Sequence, residues 1–101
     1  MWLSAKHHAE KANREFTITV EDIVIPERCP YLDIPLIKKE LGPRADGQAS
    51  IDRKDSNKGY TKDNIQIISW LANRMKSNAT EEQLLKFAKG ILKWHSEDTN
   101  I

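Results

Sequence analysis

Between Ala49 and Ser77 the chain reads ASIDRKDSNKGYTKDNIQIISWLANRMKS, and its polar side chains fall in an order that suits phosphodiester chemistry. Asp52 ends an apolar-alternating run. A polar loop containing Gly59 follows, Asn64 opens a second apolar run, and Asn73 and Lys76 come later at helical spacing. A carboxylate and an amide oxygen held at the two ends of such a unit can share one hard divalent ion. Mg²⁺ prefers oxygen ligands and keeps several waters, so two protein ligands suffice when a phosphate supplies another. An ion so placed polarises the scissile phosphate and stabilises the leaving oxygen.

The elements needed to bring Asp52 and Asn73 together are legible in outline. Ser50 to Asp52 reads as a strand end, and Asp55 to Asp63 as a loop carrying Gly59 and Tyr60. Ile65 and Ile67 resume strand spacing. From Ile68 the apolar positions Ile68, Leu71, Ala72 and Met75 fall at i, i+3, i+4 and i+7, which predicts a helix with Ser69, Asn73 and Lys76 on its flank. Strand, loop, strand and helix make a small ββα unit. A helix is expected over residues 4–15 with Ser4 as its cap, then a short strand over FTITV (16–20) and one helical turn at residues 21–23. CPYLDIPLI (29–37) holds two prolines, which permit edge strands or a tight hairpin. Residues 38–48 read as a polar loop. Thr80 and Gln83 form a capping box that opens a last helix, expected over about residues 80–96, with Leu84, Leu85, Phe87, Ala88, Ile91, Leu92 and Trp94 burying against the rest.

Size and composition set the bounds. A chain of 101 residues is one domain, 1–101, with a modest core. An apolar fraction of 39% and a charged fraction of 31% describe a globular chain rather than a disordered one. No run approaches the roughly 20 apolar residues of a membrane span, and MWLSAKHHAEK is too polar for a secretory signal, so no membrane partner and a cytoplasmic location are expected. The single cysteine, Cys29, forbids an internal disulfide and a multi-cysteine zinc site, and reads as a buried small hydrophobe. The net charge of +1 hides an asymmetry. Residues 1–48 carry 7 basic and 8 acidic side chains, whereas in residues 49–78 Arg53, Lys54, Lys58, Lys62, Arg74 and Lys76 face only Asp52, Asp55 and Asp63. A local basic surface of this kind suits nucleic-acid backbone, where it releases condensed counterions; an ordinary solvated face is the plainer reading.

SIDRKDSNKGYTKDNIQIISWLANRMKS resembles the HNH, or His-Me finger, endonuclease motif, in the form found in small phage-type proteins related to endonuclease VII. CPYLDIPL resembles the segment that leads into it, so the likeness covers about residues 29–78. The resemblance implies an α+β fold, a ββα-metal core flanked by N- and C-terminal helices. It also implies a phage protein in a bacterial host that hydrolyses DNA with Mg²⁺ or Mn²⁺ and without structural zinc. By position, Asp52 and Asn73 match the metal ligands, Asn64 the residue that organises the loop, and Lys76 a phosphate contact near the helix end. Arg53, Lys54, Lys58, Lys62, Arg74 and Lys76 are the nucleic-acid-binding candidates. Asp52, Arg53, Asp55, Asn64 and Asn73 are the catalytic ones.

One departure divides the reading. Arg53 stands where the family places its general-base His, and a guanidinium accepts no proton near neutral pH. Arg53 can instead hold a phosphate by two bonds. Asp55 is the nearest alternative base if burial raises its pKa, and His7, His8 or His95 could be brought in from outside the motif. The alternative is a catalytically inactive relative that keeps the fold and binds nucleic acid or serves as an accessory protein. DNA is the expected partner, with RNA left open. Concerted cutting of both strands needs two sites, which makes a homodimer one expected assembly.

Overall fold

A computed structural model describes residues 1–38 and 44–99, with side chains described to residue 96. The middle of the polar loop expected at 38–48 therefore lies outside the described residues. The fold is α+β: a two-stranded antiparallel sheet with three α-helices among the described residues. None of those helices is long and apolar enough to cross a membrane.

The sheet pairs β1 (Ala49–Arg53) with β2 (Ile65–Ser69) in the register Ala49↔Ser69 to Arg53↔Ile65. Helix α2 (Trp70–Lys76) follows β2 directly, because the Ser69 hydroxyl accepts the Ala72 N–H at 3.1 Å and caps the first turn. Ile68, expected to open the helix, is instead the fully buried penultimate residue of β2. Met75, expected on the inner face, is exposed, and Lys76 is buried in its place. Helical spacing identifies a face but not its rotation, and here the rotation is set by Ala72 in the core and Lys76 on Asp52.

The main core gathers Cys29, Leu36, Ala49, Ile67, Ile68 and Ala72. The proline-bearing segment closes it as a tight hairpin: Cys29 N–H donates to Ile34 at 2.8 Å, Asp33 N–H to Cys29 at 2.9 Å, and Arg28 bridges to Pro35. Ile37 N–H then donates to the Gly47 carbonyl at 2.8 Å, and the Ile37 carbonyl accepts the Ala49 N–H of β1 at 2.9 Å. Cys29 is buried, and its Sγ accepts the Ser69 N–H at 3.3 Å. Burial raises this thiol's pKa, but the bonds from Ser69 and from the Leu32 and Tyr31 backbone outweigh it, and the net shift is downward.

Helix α1 (Trp2–Ala12) starts before Ser4 and stops earlier than residue 15, where Asn13 takes the left-handed conformation at φ 54°. Its Ala5 and Ala9 pack with Ile18, Tyr60 and Ile65 in a second cluster, and Trp2 Nε1 donates to the Ile18 carbonyl at 3.0 Å. The strand expected over FTITV reduces to a single parallel bridge from Phe16 to Tyr60. The segment meets no further strand among the described residues, and Val20–Asp22 winds into a 3-10 turn whose Asp22 carboxylate accepts the Thr19 N–H. Gly59 sits against the Glu15 backbone, where a Cβ would overlap the Glu15 carbonyl oxygen. Gly59→Ala is therefore expected to lower stability by about 1–3 kcal/mol in urea titration.

Helix α3 (Glu81–Thr99) opens with the expected capping box: Thr80 N–H donates to Gln83 Oε1 at 2.9 Å, and Gln83 N–H to Thr80 Oγ1 at 3.1 Å. Its apolar residues do not bury. Phe87, Leu92 and Trp94 are 68, 71 and 66% exposed, Leu85 and Ile91 are also exposed, and only Leu84 is half-buried. The helix runs out from the body, and the molecule measures 48 × 28 × 21 Å. Phe87→Ser and Trp94→Ser should each change the unfolding free energy by less than about 0.5 kcal/mol. A larger loss in urea titration would mean that something covers this face in solution.

Candidate functional site

Pairing in the sheet puts Asp52 opposite Gln66, whose Nε2 donates to Asp52 Oδ2 at 2.8 Å and to the Tyr31 hydroxyl at 3.0 Å. The other carboxylate oxygen, Oδ1, accepts from Lys76 Nζ at 3.2 Å. That ammonium also donates to the Arg53 carbonyl at 3.0 Å. The Lys76 and Asp52 side chains are only 4 and 5% exposed. Lys76 is thus no surface phosphate contact: it lies inside, because α2 directs it at the buried Asp52 carboxylate of the sheet.

Asn73, one turn earlier, reaches back over β1. Its Nδ2 donates to Ser50 Oγ at 2.8 Å and to the Ile51 carbonyl at 3.4 Å. A carbonyl partner requires the NH₂ end, which orients the amide. The Asn73 Oδ1 accepts no bond from a described residue, and the residue as a whole is half-buried. Asp52 and Asn73 line one cleft of about 300 Å³, together with Ser50, Arg53 and, from α1, His8. The strand end and the helix therefore bring Asp52 and Asn73 to the lining of one cleft.

The loop between the strands hangs on Asn64. Its Oδ1 accepts the Asp55 N–H at 2.9 Å, and its Nδ2 donates to the carbonyls of Asp55 at 3.1 Å and Gly59 at 2.8 Å. Asn64 is buried and organises the loop, with no direct place in the cleft. Asp55 does not fit the role of base. It is exposed, its Oδ1 accepts the Asn57 N–H at 2.9 Å to close a local turn, and it does not line the cleft. Of the histidines, His8 lines the cleft and His7 does not, while His95 lies on α3.

Arg53 faces the cleft, but Nη1 is committed to the carbonyls of Ser56 at 2.6 Å and Lys58 at 2.9 Å. The guanidinium lies 5.5 Å from the Tyr60 ring centroid, so Tyr60 serves packing rather than base stacking. Its Nε and Nη2 donors have no partner among the described residues. Arg74 covers Trp70 at 4.1 Å and pairs with Asp46 at 3.0 Å. Lys54, Lys58 and Lys62 are exposed along the loop. Gln66 is the site residue that sequence reasoning missed. Its signal was a lone amide inside IQIIS, but only the register places it on Asp52.

Asp52 and Asn73 are the residues at the cleft that could hold a hard cation. Asp52 brings a carboxylate already held by Gln66 and Lys76, Asn73 brings an amide, and no group of three or more His, Cys, Asp or Glu side chains gathers among the described residues. Two oxygen ligands and several waters are what Mg²⁺ accepts when a phosphate completes its shell. No protein-family model, curated protein or solved structure matches the chain.

Proposed function

We propose that this chain is a small endonuclease of the HNH, or His-Me finger, kind, hydrolysing DNA phosphodiester bonds with Mg²⁺ or Mn²⁺. The observation that supports it is that Asp52 and Asn73 line one cleft at the junction of β1 and α2. Asp52 and Asn73 would hold the ion, which when bound supplies charge stabilisation to the scissile phosphate. Arg53 offers its remaining donors to a phosphate oxygen beside the ion. Asn64 keeps the loop in the shape that sets Arg53 against the cleft. Lys54, Lys58 and Lys62 attract the backbone and position it.

The test is nicking of supercoiled plasmid with Mn²⁺ by the full chain and by Asp52→Asn and Asn73→Ala, prepared identically. Wild type should nick, and each variant should lose at least about a hundredfold of the rate, in line with loss of electrostatic stabilisation at a reacting phosphate. Cleavage that persists in both variants would show that the activity comes from elsewhere.

A second reading is favoured by one observation: an ammonium already rests on Asp52, and Arg53 stands where a base is needed. In that reading the chain binds nucleic acid without cutting it. Replacing Lys54, Lys58 and Lys62 with Ala should then lower the slope of log K against log salt by roughly 0.9 for each duplex phosphate that is no longer neutralised. Absence of DNA binding at low salt would remove this alternative.

A further inference from the structure

Lys76 is a buried cation held by hard oxygens. Its Nζ lies 3.2 Å from Asp52 Oδ1 and 3.0 Å from the Arg53 carbonyl oxygen, and the side chain is 4% exposed. A carboxylate oxygen and a carbonyl oxygen are the donor types that Mg²⁺ and Ca²⁺ select. Gln66 holds the second oxygen of the same carboxylate in place, and Asn73 lines the same cleft, with its NH₂ end on Ser50. The strand and helix have thus built an oxygen cradle with a monovalent cation tethered in it.

We propose that the Lys76 ammonium is the resident occupant of this cradle and sets, by competition, how tightly a divalent ion binds at Asp52. The inference rests on the reading of Asp52 and Asn73 as ion ligands. Asp52 carries one negative charge, and Lys76 already matches it. A divalent ion entering beside the ammonium meets like-charge repulsion at close range, which low local dielectric strengthens. Nucleic-acid phosphate supplies the missing negative charge, so ion and backbone bind together and neither binds well alone. Without the ammonium, Asp52 is an unpaired buried carboxylate, and a divalent ion becomes its natural partner.

The experiment is Mn²⁺ binding to the full chain at low salt, read by calorimetry and by the EPR signal of free Mn²⁺. The samples are wild type, Lys76→Met, Lys76→Gln, and each of those variants combined with Asp52→Asn. Both single variants should bind one Mn²⁺ at least tenfold more tightly than wild type, and Asp52→Asn should remove the gain. Mn²⁺ should raise the melting temperature of the single variants by several degrees and leave wild type almost unmoved. Equal affinity in wild type and variants overturns the proposal, as does a gain that survives Asp52→Asn. A variant that is unfolded alone and folds on adding Mn²⁺ supports it. Failure of both single variants to fold in saturating Mn²⁺ overturns it, because the ion then cannot take the ammonium's place. Plasmid nicking separates the two readings. A wild type that never nicks, beside variants with an Asp52-dependent ion, loses the nuclease assignment and keeps the tethered cation. A wild type that nicks and binds Mn²⁺ as tightly as its variants does the reverse.

Discussion

Asp52→Ala is expected to lower the free energy of unfolding by about 3–5 kcal/mol, the range for breaking a buried ion pair from one side. The substitution leaves the Lys76 ammonium inside the protein with only the Arg53 carbonyl for a partner among the described residues, and it strips Gln66 of its carboxylate acceptor. A domain of this size has only roughly 5–15 kcal/mol in total, so the change removes a large share of its stability. The other ion pairs among the described residues give the contrast. Arg28–Asp33 and Arg74–Asp46 are just as close, but their side chains are exposed, and each contributes about 0–1 kcal/mol. Chemical denaturation of Asp52→Ala, Lys76→Met and the double variant measures the effect. The double variant should be more stable than the sum of the two single losses implies, because it leaves neither charge unpaired. A loss below about 1 kcal/mol in Asp52→Ala would mean that water reaches the pair in solution.

Asn64→Ala should be the second large loss, about 2–3 kcal/mol. Three backbone groups depend on this one side chain: the N–H and carbonyl of Asp55 and the carbonyl of Gly59. Each buried group left without a partner costs roughly 1–3 kcal/mol, and those at the loop surface recover part of that from water. Asn64→Asp distinguishes hydrogen bonding from mere packing. It keeps the shape, but it turns the NH₂ donor into an acceptor facing two carbonyls, so it should cost at least as much as Ala. Amide hydrogen exchange at Asp55 should accelerate in both variants. On the proposed nucleic-acid reading, DNA affinity should fall as well although no basic residue is changed, because Lys54, Lys58 and Lys62 all ride on this loop. An Asn64→Asp variant as stable as wild type would contradict the three-bond geometry.

The parts of this molecule that were legible in the sequence are those decided within a few residues. The alternating ASID run became β1, the Thr80–Gln83 box opened α3, and Asn64 took a loop-organising place suited to an amide that both donates and accepts. The prolines of CPYLDIPLI left room for a hairpin, and a hairpin formed. Motif order put Asp52 and Asn73 at the two ends of one ββα unit, and both line the same cleft.

Other features were decided by groups far apart in the chain. Lys76 reads as a surface charge until α2 is rotated against β1, when it becomes the partner of a buried carboxylate 24 residues away. Gln66 acquires its role only through strand register, and His8 reaches the cleft only because α1 packs beside Tyr60 and Ile65. The exposed face of α3 is the same lesson in reverse. Its spacing determined that one side of the helix is apolar, but amphipathic spacing says nothing of what lies opposite. Local sequence sets which backbone bonds and which faces can form, since those depend on neighbours three or four residues away. Which faces meet, and which charge is left to pair with which, depends on packing between distant segments, and only the tertiary structure decided that.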